Sequence, residues 1–373
     1  MILYKKIINQ RLEKMENKRI EYLDIAKGIA IICVIIGHSC GDITRSIIYT
    51  FHMPLFFIIS GYFCKGKVEL VKNTKKLIVP YVITCITMVL LLMVLNVFSG
   101  RYITHNVQEW IISAVLGKGS GAYAIGAIWF LVALYIGKSI LNLIVKIKKR
   151  WIQVLLVIGT AVLGLITNIS LFSISVALTS VIWLYLGYIA KEKEIFNKKI
   201  LANYYVIMCA FWLICIQLGL MNGNMLLVNN TYPNGIINIL GGVVASFLVI
   251  KLSQKIACSH ILKKPLLFYG KNSLTILCIH IIELNILHLN LIFTNTIILN
   301  IVKLILITSI AFVISSLRMK KIKEFIAGLL IMGAIVLFIV IQYMNKTIVV
   351  CLGDSITYGA RWNIVDIQFE KFN

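Results

Sequence analysis

The sequence predicts an all-α, polytopic transmembrane helix bundle, on three observations. Hydrophobic residues make up 60% of the 373 residues and charged residues only 14%, too little charge to cover the surface of a soluble domain of that length. The apolar residues come in blocks of roughly 17–25, the length a helix needs to cross a bilayer. Lys and Arg gather in alternate loops between those blocks, the charge pattern of membrane topology.

In chain order, the blocks place spans near 23–40, 46–64, 77–98, 122–145, 151–167, 171–190, 201–221, 235–252, 272–289, 296–317 and 325–343. Residues 1–22 are polar and basic and lack the apolar core of a secretory signal, so they read as a basic arm. The arm and the loops at 65–76, 146–150, 191–199, 251–264 and 318–323 carry 27 Lys and Arg; the opposite loops carry six. The positive-inside rule then puts the N-terminus in the cytoplasm and, after eleven spans, residues 344–373 outside a plasma membrane, with a bacterial cell as the expected setting. The net charge of +23 belongs to this topology, so no nucleic-acid partner is expected. The nine cysteines lie mostly inside spans without metal-ligand spacing and read as packing residues. No metal site and no internal repeat is expected.

Chemistry in such a chain falls to polar groups held in hydrocarbon. Of the Asp and Glu residues, Glu283 lies deep in an apolar span and Asp24 at an inner edge. Of the histidines, His38, His52, His280 and His288 lie in or at the ends of spans, while His105 and His260 fall in loops. Lys27 and His38 are eleven residues apart, so on a helix they differ by about 20° in direction and ~16 Å in height. Asp24 sits one turn before Lys27 on nearly the same stripe. Such a stripe suits a channel through the bundle; it also suits a lysine snorkelling to headgroups and a histidine at a helix end. In the second span His52 is expected near the height of His38, with Pro54 loosening the local backbone and Ser60-Gly61 allowing close helix contact. In the ninth span His280 and Glu283 are three apart on one face, where a carboxylate orients an imidazole and raises its basicity, or where both make an interhelical polar contact.

The run "LDIAKGIAIICVIIGHS" followed by "FHMPLFFIISGYF" resembles the integral-membrane acyltransferase 3 family, which includes O-acetyltransferases of surface sugars. Its first helix carries an Arg, ten residues and a His; its next carries FF-x-x-SG. "AIWFLVALY" (127–135) and "YGKNSLTILCIH" (269–280) match further segments, and the resemblance covers about 20–317. By the match His38 is the essential histidine and Lys27 takes the usual arginine position, a compact charge without the bidentate fork of Arg. Leu277 stands where the family has an aromatic.

The resemblance implies about ten family helices and transfer of an acyl group, acetyl being the expected one, from cytoplasmic acyl-CoA to a hydroxyl of an extracytoplasmic glycan or cell-envelope polysaccharide. Acyl-CoA enters as donor substrate, with no bound cofactor expected. On this reading the candidate catalytic residues are His38, His280 and Glu283, and the candidate substrate-binding residues are Lys27, Asp24, His52 and Ser60. CoA's anionic end would rest near Lys27 and its pantetheine arm would run up the stripe. His38 would either deprotonate the sugar hydroxyl or hold the acyl group itself.

After the eleventh span, "KTIVVCLGDSITYG" resembles the first block of SGNH hydrolases, whose serine nucleophile falls on Ser355. That family draws its base from a later Asp-x-x-His block, and the last histidine of this sequence is His288. Some thirty residues are also too few to bury a core. The stretch is therefore expected to be the beginning of an α/β SGNH domain whose remainder is absent, with Ser355 inert. The expected organisation is a basic arm at 1–22, an acyltransferase bundle at 23–317, a linker and extra span at 318–343, and the SGNH-like start at 344–373. Two other classes fit part of the same pattern: a glycan or lipid-linked-sugar transporter, and a membrane cytochrome using His38, His52 and His280 as axial ligands.

Overall fold

The structure, a computed structural model, describes residues 20–98, 105–120, 125–167, 171–287 and 289–318. All of them belong to the first of two compact units, residues 1–332. The described residues are helical, apart from short 3₁₀ turns, loops and one isolated bridge between Leu226 and Thr231.

Helix α1 (Glu21–Gly37) opens after the extended Ile20, with Glu21 and Asp24 in its first turn, where the helix dipole favours carboxylates. The expected second span is two helices, α2 (Asp42–Tyr49) and α3 (His52–Tyr62). Pro54 falls in the first turn of α3, where its missing N–H forfeits no helical bond, and the chain breaks before it, at Thr50-Phe51. Next come α4 (Leu70–Asn73), a π-helical stretch (Thr74–Ile78) and α5 (Val79–Phe98). The wider π turn lies just ahead of Pro80, which lacks an N–H and would crowd the carbonyl four residues back in a regular helix. Helix thus begins inside the stretch expected to be a basic loop.

Helix α6 (His105–Leu116) occupies residues expected to be a loop, so His105 opens a helix. Helices α7 (Trp129–Ile144), α8 (Arg150–Ile166), α9 (Ile174–Glu192), α10 (Ala202–Asn222) and α11 (Ile236–Ile256) follow the expected spans. The ninth span is different. It is α13 (Ser273–Ile286), preceded by α12 (His260–Lys271), and the pair bends by 72° at the break. His260, expected in a loop, is the first residue of α12. Helix α14 (Thr296–Arg318) closes the described chain.

Among the described residues, seven helical segments are long and apolar enough to cross a membrane, or eight if α12 and α13 form one bent span. The count is lower than the expected eleven partly because α1 and α8, at 17 residues each, are short. The extra span at 325–343 and the SGNH-like stretch lie outside the described residues.

The core is built on α1, α3, α7 and α9, whose buried side chains include Leu23, Ile31, Phe57, Leu131 and Trp183. Helix α10, by contrast, buries only Cys215 and Gly219 and turns most of its other apolar side chains outward, as a helix facing lipid does; Trp212 packs inward on Phe51. Two crossings are made by glycine. A Cβ on Gly61 of α3 would overlap the Leu184 carbonyl of α9, and one on Gly187 of α9 would overlap that of Ile58. In the same way Gly28 of α1 meets Leu266 of α12, and Gly270 meets the backbone of Asp24. The second crossing seats α12 against the Asp24 end of α1 and so directs α13 towards His38.

Candidate active site

Three helical segments bring polar groups together at the C-terminal end of α1. His38 caps that helix, and its Nδ1 lies 2.7 Å from the carbonyl oxygen of Val34, one turn back. A carbonyl only accepts, so Nδ1 carries the proton, and in the neutral ring the lone pair is at Nε2. His38 is exposed, and no described residue hydrogen-bonds that Nε2. From α13, the fully buried His280 places Nε2 at 3.4 Å from His38 Nδ1, with the rings edge to face at 5.1 Å. The His38 N–H is thereby shared between the Val34 carbonyl and the lone pair on His280 Nε2. His280 then carries its own proton on Nδ1, which donates to Glu283 Oε2 at 3.0 Å.

Glu283 is 3% exposed and Lys303, on α14, 2%. The Lys303 ammonium lies 3.7 Å from Glu283 Oε1, an ion pair longer than a hydrogen bond. It also donates to Ser39 Oγ at 3.3 Å, and Ser39 donates to Asn300 Oδ1 at 2.9 Å. A buried carboxylate requires such a partner, since an isolated charge in low dielectric costs several kcal/mol. The outcome is a continuous line: ammonium, carboxylate, imidazole, imidazole, ending on a ring nitrogen that no described residue hydrogen-bonds. That line can accept a proton at His38 Nε2 and spread the resulting positive charge towards Glu283.

The other end of α1 carries Asp24 and Lys27, paired at 2.6 Å. Asp24 is buried; its Oδ2 has no hydrogen-bond partner among the described residues. Along α1 from Lys27 to Val34 runs a cavity of about 140 Å³, lined also by Phe56, Ser60, Phe130 and Leu277 among others. Its wall is largely aliphatic and aromatic. Ser60 faces it, with its hydroxyl proton donated to Phe56 O at 2.7 Å. Leu277, in the position where an aromatic was expected, lines the cavity and takes less of its volume than a ring would. Lys27 and Val34 are seven residues apart on one helix, about 10 Å of rise, so the cavity leads from the ammonium to the turn that holds His38.

Of the expected site residues, His38, His280 and Glu283 meet in one cluster, and Lys27 and Ser60 share the cavity with Asp24 beside them. His52 does not join the line by a hydrogen bond among the described residues. Its Nδ1 bonds the Ile48 carbonyl at 2.8 Å and its ring packs on Tyr49 at 5.0 Å. Ser355 lies outside the described residues. Lys303, Ser39 and Asn300 were missed. A lysine in the middle of the apolar run "IILNIVKLILI" was the available signal.

The sequence profile of the acyltransferase 3 family, described as an acyltransferase domain, matches residues 20–320. No curated protein and no solved structure matched the chain.

Proposed function

Because the chain belongs to the acyltransferase 3 family, we propose that it moves an acyl group from acyl-CoA to a hydroxyl of an extracytoplasmic glycan. The observation that carries this reading is the Nε2 of His38, which has no hydrogen-bond partner among the described residues, at the end of the His280–Glu283 line. In the step, that nitrogen takes the proton from the acceptor hydroxyl as its oxygen attacks the thioester carbonyl. The C–S bond breaks, and the CoA thiolate leaves with the proton returned by the His38 imidazolium, giving an ester and free CoA. His280 and Glu283 act through His38: they hold its Nδ1–H and stabilise the charge that develops on the ring.

Donor binding follows from the cavity. Lys27 attracts the phosphates of CoA from the cytoplasmic side, the side assigned by the loop charges, and the narrow apolar passage suits a pantetheine arm with a short acyl group. Ser60 offers its oxygen as an acceptor for an arm amide, and His52 stands beside the outer end to meet the glycan. The test uses membranes containing the full chain, radiolabelled acetyl-CoA and a mixed cell-wall glycan acceptor. Label is expected in glycan, is lost in His38→Ala and is kept in Ser355→Ala. Glycan movement across vesicles with no acceptor-dependent turnover of acetyl-CoA would overturn the proposal in favour of transport.

A further inference from the structure

We infer that Lys303 is a positioning residue for the acyl-transfer reaction, holding the two histidine-bearing segments in register from a third helix. This deepens the proposed function and rests on it. Lys303 is buried in the middle of α14, and its ammonium touches both sides of the cluster: Glu283, which orients His280, at 3.7 Å, and the hydroxyl of Ser39, the residue next to His38, at 3.3 Å. Asn300, one turn earlier on α14, takes the Ser39 proton at 2.9 Å. Thus α14 grips the chain just past α1 through Ser39 and the face of α13 through Glu283. The 3.4 Å contact between His38 and His280 spans 242 residues of sequence, and Lys303 joins the two segments that must meet to make it.

A lysine placed only to neutralise Glu283 would need the carboxylate alone. The second contact, to Ser39, distinguishes the roles, because it fixes the backbone that carries His38 relative to the carboxylate. With Lys303 removed, His280 keeps its own i,i+3 partner, but the spacing of the two rings is no longer set. Turnover should fall while donor binding, at the other end of α1, stays as it was.

The experiment compares the full chain in lipid nanodiscs with Lys303→Met, Lys303→Arg and the charge-balanced double variant Lys303→Met/Glu283→Gln. The expected result for Lys303→Met is a kcat lower by about tenfold or more with the KM for acetyl-CoA nearly unchanged, and partial recovery in Lys303→Arg. Lys303→Met also strands a buried carboxylate and risks misfolding. The double variant removes that charge, so its thermal midpoint should return while its kcat stays low. Wild-type turnover in the double variant, or an equal loss in kcat and acetyl-CoA affinity in Lys303→Met, would overturn the inference. A second readout needs no acyl transfer: the rate at which diethyl pyrocarbonate modifies His38, followed by mass spectrometry. It should differ between the double variant and Glu283→Gln alone if Lys303 sets the ring's placement. Equal rates in the two overturn the inference even where no transfer is detected in the wild type, a result that would count separately against the proposed function.

Discussion

The two ends of helix α1 both hold charge inside the bundle, but they are built differently. At one end Asp24 and Lys27 pair at 2.6 Å within a single helix, three residues apart, and Lys27 is still partly exposed. At the other, His38 depends on α13 and α14, and the charges that support it, Glu283 and Lys303, are almost fully buried. A pair made within one helix survives small shifts of its neighbours. A line made across three segments depends on how those segments pack. On the proposed function, the difference makes binding and chemistry separable: donor capture would rest on local structure, and the reacting nitrogen on the tertiary fold.

The largest effect expected from breaking this comparison comes from Glu283→Ala. It strands the Lys303 ammonium in low dielectric and should destabilise the protein by about 3–5 kcal/mol, read as a lowered thermal midpoint in detergent together with loss of turnover. Asp24→Ala, at the other end, should cost much less, since Lys27 can turn its ammonium to water or to headgroups. Close behind is Gly187→Leu. A side chain there overlaps the Ile58 carbonyl, and separating α3 from α9 should cost about 1–3 kcal/mol, measurable in the same melting experiment.

A smaller effect is expected from His52→Ala. Its contacts are to Ile48 and Tyr49, so turnover should fall far less than in His38→Ala, with any change falling on acceptor KM. The smallest comes from the exposed pair that ties α1 to α12, Glu21 with Lys263 at 2.7 Å. The Lys263 ammonium holds the Glu21 carboxyl below its ordinary value. A depressed folded value means that the pair adds stability above the unfolded carboxyl's range and loses it as pH falls through the folded value. Glu21→Gln should therefore lower the melting temperature slightly at neutral pH and make no difference in strong acid.

The same contrast explains what could be read from the sequence. Asp24 with Lys27, and His280 with Glu283, were legible because helical spacing alone puts residues three apart on one face. His38 was legible through its motif. The meeting of His38 with His280 was not, because no periodicity relates residues on different helices. The role of Lys303 has no sequence signature for a similar reason: its partners, Glu283 and Ser39, lie on other segments. The sequence over α12 reads as loop because Lys263, Lys264 and Pro265 interrupt the apolar run. Its place is set instead by the glycine crossing with α1, a packing feature with no local signature. The early start of helix at Leu70 was hidden by the same kind of basic run.

The most direct test of the account is the steady-state kinetics of labelled acetyl transfer in His38→Ala beside Lys27→Ala. The account predicts two different failures: His38→Ala loses kcat by about 10²–10⁴-fold with acetyl-CoA KM little changed, whereas Lys27→Ala raises KM and largely keeps kcat. Wild-type kcat in His38→Ala would contradict it.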